Sequence, residues 1–258
     1  MKTFLAATLL LLPLAALAGS NFDGTWKSKL DSMKVTGKPD SFTVQDGMYS
    51  CSSCAPAVKI KADGTDQKVT GHSYYDTMAV KVVSPTAIEI TTKKGGKIIN
   101  TAEYSLSADG KTLNGKFHDH SGEKEATGTF TETRLGAAPA GAHALSGSWQ
   151  PNQLADANDA LRTVKYHMSN DAFTMHWNGQ SYEAKFDGKE YPVANDPGGT
   201  KVALKRIDDN TIEETDSRDG KVTDHIRMAA AADGKTIQVT DKDELHDQVT
   251  TYTLERQP

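Results

Sequence analysis

Residues 63–113 recur at residues 187–237 with a constant offset of 124 positions and no gap, and 15 of the 51 paired positions are identical. The identities include Asp63-Gly64/Asp187-Gly188 and Ile88-Glu89/Ile212-Glu213. The longest is Ala108-Asp109-Gly110-Lys111-Thr112, which returns as Ala232-Asp233-Gly234-Lys235-Thr236. Most lie at or beside turns, where backbone geometry restricts the residue, so they argue for a duplicated fold before a duplicated site. The chain therefore divides into two units of roughly 110–120 residues, each large enough to bury its own core.

Within each copy the pattern is that of strands and tight turns. Met78–Val83 and Ala87–Thr92 read as a hairpin joined at Ser84-Pro85, and Val202–Ile207 and Thr211–Asp216 are its counterpart. The next strand alternates, with Ile98, Ala102, Tyr104 and Leu106 on one face, and its copy places Val222, Ile226, Met228 and Ala230 likewise. A one-residue slip would invert every side chain, so agreement between the copies sets the inward face. Phe42-Thr43-Val44 matches Phe173-Thr174-Met175, which leaves about seven extra residues in the first unit around Cys51 and Cys54. One helical stretch is expected, Gln153 to Leu161, with Leu154, Ala157 and Leu161 on one face.

Residues 1–18 read as an export signal: Lys2, an apolar run from Phe4 to Leu17, and the small-x-small ending Ala16-Leu17-Ala18. Without Lys2 the chain carries 28 basic and 34 acidic residues, a net charge of −6. With no Lys/Arg cluster, this argues against nucleic acid or an anionic membrane as partner. No integral membrane segment is expected beyond the leader. The organisation is a signal peptide at 1–18, a first unit at 19–135, a small-residue linker at 136–144 and a second unit at 145–258.

Both units open alike, with Phe22-Asp23-Gly24-Thr25-Trp26 and Leu145-Ser146-Gly147-Ser148-Trp149. An apolar residue followed by Gly-x-Trp at the head of a first strand resembles the signature of the calycin superfamily, to which lipocalins, fatty-acid-binding proteins and avidins belong. The resemblance implies an all-β fold of two tandem antiparallel up-and-down lipocalin-like barrels of about eight strands each. The Trp would close one end of each barrel. The chain departs from lipocalins in lacking their longer Asn-containing opening and in being duplicated.

Three constellations could carry chemistry. Cys51 and Cys54 are the only cysteines; in an exported chain they read as a local disulfide, against a sharper reading as part of a metal or redox site. His118 and His120, two apart on a strand, point the same way and could ligate one metal, against the plain reading of a solvated edge. In the second unit, Arg206, Glu214 and Asp224 fall on the inward face where the first unit has Val82, Ile90 and Asn100. A charge there is costly unless paired, solvated or bound to a ligand. It reads either as a salt bridge near a barrel mouth or as a polar anchor for a ligand, with Tyr166, Trp177, Tyr182 and Phe186 as apolar lining.

No Gly-x-Ser-x-Gly elbow, His-Glu-x-x-His, P-loop or dinucleotide fingerprint occurs. The expectation is an exported, periplasmic or secreted, non-catalytic protein that needs no cofactor and binds a small apolar or amphipathic molecule in one or both barrels. Two alternatives stand beside it: a module with filled barrels that binds a protein partner, and a Cys/His metal-binding or redox protein.

Overall fold

The computed structural model describes residues 20–258, so the leader reading falls outside the described residues. The first repeat supplies β1 (Gly24–Gly37), β2 (Asp40–Gln45), β3 (Met48–Cys51), β4 (Val58–Lys61), β5 (Gln67–Lys68), β6 (Thr77–Ser84), β7 (Ala87–Lys94), β8 (Lys97–Leu106), β9 (Thr112–Asp119) and β10 (Ala126–Arg134). The second supplies β11 (Gly147–Ala157), the short helix α1 (Asp159–Arg162), β12 (Thr163–Met168), β13 (Ala172–Trp177), β14 (Gln180–Lys185), β15 (Tyr191–Pro192), β16 (Lys201–Asp208), β17 (Thr211–Arg218), β18 (Lys221–Ala230), β19 (Thr236–Asp243) and β20 (Gln248–Arg256). They form two antiparallel, nearly closed sheets of ten strands each, where about eight were expected. Among the described residues no helix is long and apolar enough to cross a membrane.

The sheets do not follow contiguous halves of the chain. One runs β4-β3-β2-β11-β10-β9-β8-β7-β6-β5 and the other β14-β13-β12-β1-β20-β19-β18-β17-β16-β15. Each takes nine strands from one repeat and its tenth, the first strand, from the other. β11 follows β10 in the chain and lies antiparallel beside it, with Arg134 opposite Trp149, as consecutive strands often do. β1 and β2, by contrast, are separated only by Lys38 and Pro39 yet lie in different sheets. β1 is left to fill the equivalent slot between β12 and β20. It does so with a register shift between Lys29 and Lys34, which lets one 14-residue strand bend from one barrel toward the other.

The exchange carries the paired tryptophans with it. Trp26 is fully buried in the second barrel's core, with Phe173, Leu204 and Ile212, and Trp149 in the first, with Val80, Ile88 and Leu113. Each indole N–H donates to the carbonyl of the apolar residue four positions earlier, Trp26 to Phe22 at 2.8 Å and Trp149 to Leu145 at 3.0 Å. An arginine ending the last strand lies over each ring, Arg256 at 4.4 Å from Trp26 and Arg134 at 4.1 Å from Trp149. Each guanidinium also donates to nearby backbone carbonyls, so the barrel ends are closed by a cation, a ring and fixed dipoles together.

The registers extend the repeat upstream of residue 63. Gly147 faces Phe42 and Gly24 faces Tyr166, so Phe42 corresponds to Tyr166, again 124 positions on. Tyr49 corresponds to Phe173 and Val58 to Tyr182 by the same pairing. The expected match of Phe42 with Phe173 is therefore displaced by one strand, and the seven extra residues it required do not exist. Two further expectations change. Gln153–Ala157 lies in β11, leaving only four helical residues at Asp159–Arg162, because pairing with β10 supplies the hydrogen bonds a short helix would have to make alone. Ile98 and Val222 are exposed, since register shifts beside both turn the hairpin ends out of the core.

Candidate functional site

A cavity of about 460 Å³ lies inside the second barrel. Its apolar walls include Val164 and Tyr166 from β12, Met175 and Trp177 from β13, Ile226 and Met228 from β18, and Tyr252 and Leu254 from β20. Leu154 also lines it, although β11 is hydrogen-bonded in the other sheet, so the cavity reaches the place where the two sheets meet. There Arg162 donates to the Ser28 carbonyl, at 2.7 Å from Nη2, and ties α1 to β1.

One wall is carboxylic: Glu214 and Asp216 from β17 and Asp241 from β19. Glu214 is only 6% exposed, and the Tyr182 hydroxyl donates to it at 2.5 Å. Ile226, the cross-strand partner of both Glu214 and Asp241, lies between them. Asp216 faces Asp224 across β18, and Asp224 accepts from Arg218 at 2.7 Å. Burial raises the Glu214 carboxyl. It pushes Asp216 up to about 9, with the Glu214 carboxylate adding to the rise, and Asp241 up to about 7, with Asp224 and Asp216 adding. Burial also raises the hydroxyls of Tyr166, Tyr182 and Tyr252, so they stay neutral donors.

The same positions in the first barrel are built differently. The strand registers equate Glu214 with Ile90, Asp216 with Thr92, Asp241 with Phe117, Tyr252 with Phe130 and Val239 with Gly115. Gly115 faces Phe130 across the ladder, and a Cβ on Gly115 would stand 2.1 Å from that ring. Gly128 faces Phe117 in the same way, with 2.7 Å to the ring. The absent side chains let both rings fold down over the strands. They join Tyr104, Phe42 and Tyr49 in a run of ring contacts through the interior, with centroids 5.8–6.4 Å apart. In the second barrel Val239 and Thr250 replace the two glycines and Asp241 replaces a phenyl ring.

Of the residues singled out from sequence, Glu214, Tyr166, Tyr182 and Trp177 come together around this cavity. Phe186 packs against the edge of the second core. Arg206 lies at the β16–β17 turn, where it donates to Asp209 at 2.8 Å and to the Asn170 carbonyl at 3.4 Å. Asp224 is turned to Arg218. Cys51 and Cys54 form a disulfide. His118 contacts the Glu125 carboxylate, and the amide of His120 donates to the Ile99 carbonyl. Among the described residues no group of three or more His, Cys, Asp or Glu is arranged to hold a metal ion.

Asp216, Asp241, Arg218 and Tyr252 were not singled out. Asp216 shares a strand face with Glu214, so the alternation that exposed one was sufficient to expose the other. Asp241 lies four residues beyond the gapless repeat and shows itself only once β9 and β19 are superposed by register. Comparison with protein-family models, with curated proteins and with solved structures gives no match.

Proposed function

We propose that this chain is an exported, non-catalytic binding protein of lipocalin-like type that holds a small, mainly apolar molecule inside its second barrel. The observation that carries the reading is the interior cavity of about 460 Å³, walled by Tyr166, Trp177, Tyr252, Met175 and Met228. Its volume lies within the ~300–1,000 Å³ usual for small-molecule sites, and a few polar groups among apolar walls are what fixes a ligand's orientation. The Cys51–Cys54 disulfide supports an oxidising compartment. The first barrel takes part in the strand exchange, and a run of ring contacts crosses its interior.

The test is titration of the protein without its leader with Nile red, a neutral dye that brightens in apolar surroundings, together with native mass spectrometry of protein from its own host. Met175→Trp enlarges a cavity-lining side chain and should abolish dye binding with little change in melting temperature. Binding that survives Met175→Trp, or that is lost equally on filling a first-barrel position, would sink the assignment to the second barrel.

A further inference from the structure

The carboxylic wall of the cavity is short of partners. Glu214, Asp216, Asp224 and Asp241 lie near a single guanidinium, Arg218, whose Nη2 is spent on Asp224. Arg218 is held from the other side by the first barrel, where the Tyr74 ring lies 5.0 Å from its guanidinium carbon. Its Nε is itself buried without a hydrogen-bond partner. One oxygen of Asp216 and one of Asp241 are wholly buried and accept no hydrogen bond. Buried acceptors left without a donor are costly, and buried carboxylates more so.

The fold does not require them. At the equivalent positions the first barrel has Ile90, Thr92 and Phe117 and closes the same way. Asp216 and Asp241 both line the cavity, together with Tyr166, Trp177 and Tyr252. Clustered carboxyls beside aromatic and apolar side chains complement an ammonium on a hydrophobic body. A bare metal ion fits less well, since these carboxyls do not form a metal-holding set among the described residues.

We infer that the second barrel binds a primary or secondary organic amine in its protonated form, with the nitrogen donating to Asp216 and Asp241 and the apolar part among Tyr166, Trp177 and Tyr252. This rests on the binding function proposed above. The ammonium takes the place of the protons that the Asp216 and Asp241 carboxyls hold in the empty barrel, which are released as it enters. Glu214 keeps its bond from Tyr182 and Asp224 its pair with Arg218.

The experiment is calorimetric titration of the leader-free protein at neutral pH with three matched series: hexylamine, decylamine and 2-phenylethylamine, the corresponding alcohols, and the corresponding carboxylates. Amines should bind at least about tenfold tighter than their alcohols, and carboxylates should not bind. In the double variant Asp216→Asn/Asp241→Asn the amine preference should shrink to within about threefold, with alcohol binding kept. Should that variant fail to fold, the ranking of the three series on the parent chain still decides. Alcohols binding as tightly as amines would overturn the cationic ligand and leave the binding function standing. Failure of all three series together with failure of Nile red would remove the binding function itself. Calcium or zinc chloride alone raising the melting temperature, with the effect abolished by the same double substitution, would replace the amine by a metal.

Discussion

Asp216 and Asp241 sit at positions the sister barrel fills with Thr92 and Phe117, and the cost of placing them there depends on pH. Their carboxyls are pushed up to about 9 and about 7, first by burial and then by neighbouring carboxylates, against an ordinary value near 4. The folded protein therefore holds protons that the unfolded chain releases above about pH 4. Their contribution to stability is complete below that value and is lost as pH rises through about 7 and then about 9. Melting temperature should fall from about pH 5 to pH 9, by roughly 2–4 °C for each kcal/mol lost. Asp216→Asn/Asp241→Asn should flatten the profile and melt higher than the parent at the alkaline end. Glu132 in the first barrel, raised to about 8 by burial, acts in the same direction, so some slope should survive in the variant. A parent profile flat across this range would contradict the assignment. Half of this site was legible in the sequence, because Glu214 breaks an apolar alternation shared by two copies. Arg206 breaks it too, yet it lies beside a turn where Asp209 and a backbone carbonyl satisfy it, a solution alternation alone does not reveal.

The strands themselves were largely legible: hairpins, turns and inward faces follow from period-two patterns repeated at a fixed offset. Partner choice for the first strands was not, because Gly-x-Trp marks where a strand begins and says nothing of which sheet receives it. β1 and β11 are interchangeable by pattern, and link length does not choose between them: β1 and β2 are separated only by Lys38 and Pro39 yet lie in different sheets. Exchange makes an unusual claim about Trp26, which belongs to the first repeat in sequence and is fully buried in the core of the second barrel. Trp26→Leu should destabilise by about 3 kcal/mol, toward the lower end for loss of a buried aromatic. Its damage should appear in amide exchange of β12, β19 and β20 and leave β8 and β9 protected. Trp149→Leu should show the reverse. Loss of protection in β8 and β9 on replacing Trp26 would indicate barrels closed by their own first strands.

At the scale of the whole molecule, exchange turns a linker into a dispensable connection. β1 is hydrogen-bonded to β12 on one side and β20 on the other, and β11 to β2 and β10, so each repeat is held by backbone ladders to the other. Further contacts join the barrels away from these strands: Lys94 donates to the Pro197 carbonyl at 2.5 Å, Ser73 to Asp219 at 2.8 Å, and the Asn178 carbonyl accepts from the Glu123 amide at 2.8 Å. A protease site placed in the stretch 136–142 and cut after folding should therefore leave two fragments that co-elute on size exclusion and part only in denaturant. The cavity draws Ser28 and Met33 from one fragment and Trp177, Asp216 and Asp241 from the other, so the cut protein should keep ligand binding. Stripping away the N-terminal fragment in denaturant and refolding the remainder alone should abolish it. Barrels each built from their own repeat would instead separate on cutting, and the C-terminal fragment would then bind ligand unaided.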